Sequence, residues 1–215
     1  MNTSASRMLS RENCNEPKKT AMTEKSRIRN EMNARLKCLS PEVIQAKSAA
    51  IAANLLRASC WRNADLLLAF CSMRREVDTS EMLRAALREG KTVGIPRMDG
   101  ANLVFHELER LDADFIIHPF GICEPAAWWP EIRANSPRFR QIIVLTPGLA
   151  FDRALRRLGR GKGFYDRALR QFKAECGARL IAVGVCFAEQ LIARVPADDG
   201  DEPVDLLLTD CEVIV

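Results

Sequence analysis

Alternating glycines and cations between Arg157 and Gly163 form the stretch whose residue types are best suited to chemistry. The glycine-rich loop at residues 157–163 reads Arg-Leu-Gly-Arg-Gly-Lys-Gly. Glycines lack a Cβ, so they let backbone N–H groups approach a ligand closely. The apolar 3.6-residue periodicity after Gly163 predicts a helix, whose first turn offers unpaired N–H donors to an anion. Because Arg160 and Lys162 add charge suited to phosphoryl transfer, phosphate is the natural ligand.

The common nucleotide-binding fingerprints do not describe this loop. A P-loop needs a glycine at Arg156 and a hydroxyl at Gly163, and the dinucleotide pattern needs a glycine at Phe164. Asp166 lies one helical turn past the glycines, where its carboxylate suits a magnesium ion. An exposed basic turn, with glycines serving only chain reversal, is the alternative.

A longer string carries a specific resemblance. PGLAFD at residues 147–152 and RLGRGKGFYD at residues 157–166 resemble the signature of the 5-formyltetrahydrofolate cyclo-ligase family, also called 5,10-methenyltetrahydrofolate synthetases. The resemblance extends from about Lys25 to Asp210. It implies ATP-dependent conversion of 5-formyltetrahydrofolate to 5,10-methenyltetrahydrofolate, with release of ADP and phosphate. The implied partners are 5-formyltetrahydrofolate and Mg-ATP, and the implied cofactor is Mg²⁺.

The resemblance also implies a set of site residues. The catalytic residues are Arg160 and Lys162. The ATP-binding residues are Lys25, Arg29, Arg157, Leu158, Gly159, Arg160, Gly161, Lys162, Gly163, Phe164 and Tyr165. The substrate-binding residues are Cys71, Glu76, Phe120, Arg160 and Phe164. The magnesium ligands are Asp166 and Asp205.

Several of these assignments have a plainer alternative in the sequence itself. Lys25 and Arg29 are spaced as a basic pair on one helix face, which is commonly just a solvated surface. Glu76 follows a predicted strand, where ligands gather in open α/β sheets, but an exposed loop glutamate is usually only solvated. Phe120 lies in a stretch that resembles the family's FGIPEP loop, and Asp205 follows a solvated acidic loop.

Two positions depart from the family pattern. Leu155 stands where the family usually has a glycine, so we expect the turn there to be built differently or to avoid positive φ. This departure prompts an alternative function, namely a non-catalytic or differently specific paralogue that binds a nucleotide or a phosphorylated ligand. Phe164 replaces the first of two tyrosines, which removes a hydroxyl and keeps the ring.

Alternating strand and helix patterns predict a three-layer α/β/α protein with a mainly parallel sheet. By resemblance the fold is Rossmann-like, of the NagB/RpiA/CoA-transferase-like type. Helices are predicted from Thr23, from Ser40-Pro41, around residues 82–88, after Gly163 and at residues 188–195. Strands are predicted at residues 65–71, 91–96, 103–108, 142–145, 179–187 and 204–209. Other enzymes of similar fold, acting on sugar phosphates or acyl-CoA, remain alternatives.

Composition defines the class of protein. The chain has 215 residues, of which 47% are hydrophobic and 28% charged, with a net charge of +4 and eight cysteines without paired spacing. These values predict a soluble, cytoplasmic protein with reduced thiols, and they indicate neither a disulfide framework nor a membrane span. A monomer is expected, although composition does not determine the oligomeric state. Aromatic residues are not interleaved with the positive charges, so nucleic acid is not an expected partner. We expect a disordered tail at residues 1–22 and a single domain at residues 23–215.

Overall fold

The computed structural model of the chain describes residues 23–117 and 122–215. The tail expected at residues 1–22 and the substrate contact expected at Phe120 lie outside the described residues. Within the described ranges no helix is both long and apolar enough to span a membrane.

A seven-stranded sheet in the order β11-β10-β9-β6-β1-β2-β3 forms the middle layer. The five inner strands are parallel to one another, while β3 and β11 pair antiparallel at the two edges. Two short antiparallel pairs, β4 with β5 and β7 with β8, lie outside it. The strands are β1 (Leu66–Leu68), β2 (Thr92–Asp99), β3 (Asn102–Glu107), β4 (Ile116–Ile117), β5 (Cys123–Glu124), β6 (Ile142–Thr146), β7 (Ala150–Phe151), β8 (Arg157–Leu158), β9 (Leu180–Val185), β10 (Leu206–Leu208) and β11 (Val213–Ile214).

Helices cover both faces of the sheet. They are α1 (Glu24–Lys37), α2 (Pro41–Arg57), α3 (Ser59–Asn63), α4 (Ser80–Arg88) and α5 (Phe164–Cys176). The buried residues of α1, α2 and α4 belong to one apolar cluster and those of α5 to the other. The predicted three-layer, mainly parallel architecture is therefore confirmed.

The inner strands supply both clusters because successive side chains of a strand point to opposite faces. Leu67 and Ile143 pack in the cluster under α1 and α2, whereas Leu68 and Val144 pack in the cluster under α5. Such strands are buried on both faces, which explains why they read as continuous apolar runs.

The order of the strands creates a crevice. From β1 the chain proceeds to β2 on one side, and it later returns to the other side of β1 as β6. Ligands of open α/β proteins bind outside the carboxyl ends of the strands at such a reversal. Cys71 follows β1 and Pro147 follows β6, so both segments open onto this crevice.

The prediction of a helix at residues 188–195 is wrong. Only a single 3₁₀ turn, Ala188–Gln190, forms there. The Gln190 carboxamide oxygen accepts from Phe187 N at 2.9 Å, and its Nε2 donates to Gly148 O at 2.8 Å. Ile192 N then donates to Phe151 O at 2.8 Å. In a helix this N–H would bond within the segment, but here its acceptor is a residue distant in sequence.

Candidate active site

A cavity of about 420 Å³ lies at the predicted crevice. Its apolar wall comes from the ends of β1 and β6, the β2–β3 hairpin and the segment before β5. Its charged wall comes from the glycine-rich loop and the first turn of α5. The apolar wall includes Phe70, Met73, Pro96, Met98, Leu103 and Ile122; the charged wall includes Arg157, Gly159, Arg160, Lys162, Gly163 and Asp166.

Glycines give the loop its shape. Gly161 and Gly163 have φ of +99° and +68°, in the region that favours glycine. A Cβ on Gly159 would lie 2.9 Å from Nη1 of Arg157, so the backbone there packs directly on that guanidinium. Gly163 is the N-cap of α5 and provides no side-chain cap. The first N–H groups of α5 are therefore available to an anion, as predicted.

Arg157 and Asp166 form an ion pair beneath the loop. Their Nη2 and Oδ1 atoms are 2.5 Å apart, and their side chains are 3% and 20% exposed. Arg157 Nη1 also donates to Pro147 O at 3.4 Å, while its Nε is buried with no hydrogen-bond partner among the described residues. Arg157 thus connects the end of β6 to α5, and its contact with ATP stays a prediction.

Arg160 and Glu76 join the two predicted ligand sites. Arg160 donates from Nη2 and Nε to Glu76 Oε1, at 2.9 and 3.2 Å. The second carboxylate oxygen of Glu76 accepts from Met73 N at 3.1 Å. Lys162 is exposed and has no ion pair within the part of the chain that the structure describes. The two cations predicted to be catalytic therefore lie at the surface of the cavity, where a ligand can reach them.

The two basic residues of α1, Lys25 and Arg29, contact different parts of the structure. Arg29 Nε donates to Gly159 O at 2.9 Å, and its guanidinium lies beside Gly161, so this residue reaches the loop as predicted. Lys25 Nζ instead contacts Asp198 and Asp201, both at 2.6 Å. Burial opposes the charge of Lys25, but these two carboxylates hold its pKa above the ordinary value. Lys25 therefore pairs with two carboxylates in this structure, and its contact with ATP stays a prediction.

The remaining residues predicted to contact a ligand differ in whether their side chains reach the cavity. Leu158 is buried in the core and its carbonyl oxygen accepts from Leu149 N at 2.7 Å, so its contact with ATP stays a prediction. Cys71, Phe164 and Tyr165 all line the cavity. Burial, and then the neighbouring Cys123, raise the pKa of Cys71 to about 12, so it stays a neutral thiol. Burial also raises the pKa of Tyr165, whose hydroxyl is buried without a partner among the described residues.

The two predicted magnesium ligands lie apart. Asp205 Oδ2 accepts from Ala182 N at 2.8 Å, and Oδ1 is 3.8 Å from Nζ of Lys173 in the third turn of α5. Asp166 lies in the first turn of the same helix, about 10 Å from Lys173 along its axis. Within residues 23–117 and 122–215, no group of three or more acidic, histidine or cysteine side chains is arranged to hold a metal ion.

Comparison with known proteins identifies the family. The model of the 5-formyltetrahydrofolate cyclo-ligase family matches residues 21–210. The chain belongs to this family. A probable 5-formyltetrahydrofolate cyclo-ligase of Schizosaccharomyces pombe is 31% identical over 204 residues, covering 89% of this chain and 97% of that protein. The mouse 5-formyltetrahydrofolate cyclo-ligase is 29% identical, with coverages of 88% and 95%.

A solved structure agrees with this assignment. The 5,10-methenyltetrahydrofolate synthetase of Aquifex aeolicus superposes with a TM-score of 0.73 at 28% sequence identity, covering 88% of this chain and 91% of that one. The resemblance that the two motifs indicated in the sequence is therefore confirmed.

Of the two alternatives expected for the turn at Leu155, a different construction or avoidance of positive φ, the second is wrong. Leu155 has φ of +62°, a conformation that costs an ordinary L-residue roughly 1 to 2 kcal/mol. Leu155 N donates to Asp152 O at 3.0 Å, and Asp152 Oδ1 accepts from the N–H groups of Ala154 and Arg156, at 3.0 and 3.1 Å. These hydrogen bonds hold the turn despite the positive φ of Leu155.

The apolar part of the site carries no recognisable sequence motif. Pro96, Met98 and Leu103 line the cavity from β2 and β3, but in sequence they look like ordinary strand residues. The buried Glu124 accepts from Met98 N at 3.0 Å and ties this wall to β5. The only available signal was the strand periodicity, which cannot distinguish a cavity wall from a core.

Proposed function

We propose that this chain catalyses the ATP-dependent conversion of 5-formyltetrahydrofolate to 5,10-methenyltetrahydrofolate, releasing ADP and phosphate. The observation that carries the proposal is one cavity with two unlike walls, in a chain of the cyclo-ligase family. The charged wall suits a polyphosphate and the apolar wall suits a flat ring system. The two reactants of the proposed reaction have these two characters.

The folate is assigned to the apolar wall. Met98 and Leu103 of this wall offer apolar surface to a pterin ring, and the ring of Phe164, at the start of α5 on the facing wall, offers an aromatic face for stacking. Glu76 accepts hydrogen bonds at the same place and is the substrate contact implied by the family resemblance. Phe120 stays a predicted contact on the resemblance alone.

The chemistry requires activation of a poor electrophile. The carbon of a formamide resists attack because the nitrogen lone pair is delocalised into the carbonyl. The formyl oxygen therefore attacks the γ-phosphorus of ATP and ADP leaves. The second folate nitrogen then attacks the activated carbon to close the ring, loses its proton, and phosphate leaves from that carbon. Both bonds form within the substrates, so no protein nucleophile is required.

The residues of the chain contribute position and charge. Arg160 and Lys162 face the transferring phosphoryl group and neutralise its developing negative charge. The N–H groups at the start of α5 add fixed donors, and Arg29 supports the loop from behind Gly159. For this role Arg160 exchanges its contact with Glu76 for the phosphate, which frees the carboxylate for the folate.

Magnesium is assigned to Asp166. Its Oδ1 is held by Arg157, and its Oδ2 has no hydrogen bond within the described residues, so one oxygen fits a metal ion. Mg²⁺ commonly takes one or two carboxylates and completes its shell with phosphate oxygens and water. When bound, the ion would neutralise the phosphates. Asp205 is held by Ala182 and is the weaker candidate.

The alternative of a non-catalytic or differently specific paralogue rested on Leu155. The hydrogen bonds around Asp152 form the turn despite this residue, and the loop that follows keeps its glycines and cations. The departure therefore gives no structural reason for lost activity.

We further infer a cytoplasmic monomer that binds neither nucleic acid nor membrane. Cys38, Cys123 and Cys211 are exposed and unpaired, which suits a reducing compartment. Size-exclusion chromatography with light scattering tests the monomer directly, and a dimer peak contradicts it.

A coupled assay tests the reaction. Purified protein is mixed with 5-formyltetrahydrofolate, ATP and magnesium, and the near-ultraviolet absorbance of the methenyl product is followed together with ADP release. We expect one ADP for each product molecule, and a much slower reaction for Asp166→Asn. Product without ATP, or ATP hydrolysis indifferent to the formyl-folate, contradicts the proposed function and favours the paralogue.

A further inference from the structure

One guanidinium near the start of α5 connects the two walls of the cavity. Arg167 donates from Nε and Nη2 to the backbone oxygen of Ala101, at 2.8 and 2.5 Å. The same Nη2 donates to Lys162 O at 3.0 Å. Ala101 belongs to the turn between β2 and β3, and Lys162 belongs to the glycine-rich loop. Arg167 therefore fixes the hairpin against the loop.

Both anchoring points adjoin residues that face the ligand. Met98 and Leu103, on either side of the turn that contains Ala101, line the apolar wall, and Lys162 to Phe164 line the charged wall. Arg167 is not among the described residues that line the cavity. Its guanidinium carbon lies 5.4 Å from the centre of the Phe164 ring and so supports that ring from outside.

The contact with Lys162 also determines where a donor points. A trans peptide unit is planar, so its carbonyl oxygen and the following N–H point in opposite directions. The described residues contain no cis peptide, and the Lys162 oxygen is turned towards Arg167. The N–H of Gly163 is consequently turned away from Arg167. A Cβ on Gly163 would lie 2.8 Å from Nη1 of Arg167, so the two residues are closely packed.

We propose that Arg167 is a positioning residue for phosphoryl transfer, which orients the Gly163 peptide and sets the separation between the phosphate-binding wall and the folate-binding wall. The inference rests on the proposed function and extends it to a residue outside the cavity. Its physical basis is the fork of the guanidinium: Nε and Nη2 reach carbonyls on two different elements at once. A lysine ammonium carries the same charge without this planar fork.

The test compares Arg167→Ala, Arg167→Lys and a matched control, Arg153→Ala. Arg153 is an exposed arginine that pairs with Glu212 at 2.7 Å, away from the cavity. The measurements are kcat in the coupled assay, the ratio of ATP to AMP affinity by calorimetry, and the midpoint of thermal unfolding. The affinity ratio isolates the contribution of the terminal phosphates and needs no turnover.

For both Arg167 variants we expect kcat to fall at least tenfold and the ATP-to-AMP ratio to fall at least fivefold, with little change in unfolding midpoint. The control should match the wild type in all three measurements. If Arg167→Lys behaves as the wild type, the residue acts through its charge alone and the inference is overturned. Values within twofold of the wild type for Arg167→Ala overturn it as well. If Arg167→Ala does not fold, Arg167→Lys decides.

The outcome for the wild type separates this inference from the proposed function. A wild-type protein without cyclo-ligase activity contradicts the proposed function, and the affinity ratio still tests the position of the loop. An active wild type whose Arg167 variants are normal contradicts only the inference about Arg167. If the wild type neither turns over nor binds ATP, both are overturned.

Discussion

The glycine-rich motif consists of two neighbouring segments with opposite properties. The anchor segment (residues 152–158) is held by its buried residues: Asp152 is fully buried and accepts from backbone N–H groups, and the buried Arg157 pairs with Asp166 beneath the loop. The open segment (residues 159–163) is largely exposed, and its cations lie at the surface of the cavity.

The difference separates the parts that build the site from the parts that meet the ligand. The carboxylates of both pairs are mostly buried, with Asp166 20% and Glu76 14% exposed, so the difference lies in the two arginines: the Arg157 side chain is 3% exposed and the Arg160 side chain 44%. A buried charge that loses its partner is left uncompensated, whereas an exposed guanidinium can exchange one partner for another at little cost. Arg157 and Arg160 are only three positions apart, yet the first is a fixed support and the second is free to exchange Glu76 for a phosphate. Substitutions in the two segments should therefore affect different measurements.

The largest effect on stability is expected from Arg157→Ala. The change leaves Asp166 without its cation and removes the contact with Pro147, so the free energy of unfolding should fall by about 3 to 5 kcal/mol. Chemical denaturation measures this loss. The exposed pair of Arg153 with Glu212 provides the control, because Arg153→Ala should cost about 0 to 1 kcal/mol. Equal losses in the two variants would show that the anchor segment is not held by its buried pair.

Substitutions in the open segment should change the affinity for Mg-ATP. For the double variant Arg160→Ala, Lys162→Ala we expect Mg-ATP affinity to fall by about 2 to 5 kcal/mol, because phosphate charge is left without its partners. The free energy of unfolding should change by less than about 1 kcal/mol, since both side chains are exposed. Isothermal titration measures the affinity. An unchanged ATP titration would show that the loop does not face the nucleotide.

Substitution of Glu76 tests the role of the carboxylate that pairs with Arg160 of the open segment. Glu76→Ala should weaken 5-formyltetrahydrofolate binding by about 1.5 to 3 kcal/mol, the range for a hydrogen bond to a charged group. It should spare Mg-ATP binding, because Arg160 loses only a competitor for the phosphate. Titrations with each ligand separate the two effects, and Glu76→Gln serves as the control that keeps an acceptor for Met73 N. A similar loss for both ligands indicates a folding defect instead.

The sequence predicted the features that depend on neighbours along the chain. The strand before the motif, the glycines of the open segment and the helix after Gly163 all follow from short patterns. The carboxyl end of β1, and with it Glu76, followed from a general rule for parallel sheets. The predicted elements are confirmed because short-range patterns largely determine backbone conformation, whereas the contact of Glu76 with the substrate stays a prediction.

The features that remained out of reach depend on residues distant in sequence. Lys25 is held by Asp198 and Asp201, more than 170 positions away, and no spacing within α1 indicates this. Met98 and Leu103 become a cavity wall only when the hairpin packs beside the loop. The same limit applies to Arg167, whose two carbonyl partners lie on separate elements.

The smallest expected effect on the anchor segment is a difference in stability between two substitutions of Leu155. At φ of +62° an alanine keeps the penalty of roughly 1 to 2 kcal/mol, whereas a glycine avoids it and loses about 0.5 to 1 kcal/mol through its greater freedom in the unfolded chain. Both substitutions remove the same packing of the leucine side chain. Leu155→Gly should therefore be more stable than Leu155→Ala by about 0.5 to 1 kcal/mol in urea denaturation, the reverse of the usual order.

The same two substitutions at Arg153 provide the control. Leu155 is the sole residue other than glycine with positive φ in the described part of the chain, so the backbone of Arg153 is not strained in this way. There the alanine variant should be the more stable of the pair, since glycine keeps only its entropic disadvantage. Mg-ATP affinity should be the same for both Leu155 variants, because the strain lies in the anchor segment and the ligand meets the open one. If alanine exceeds glycine at both sites, the hydrogen bonds of Asp152 relieve the strain at Leu155; if ATP affinity differs, the two segments are mechanically coupled.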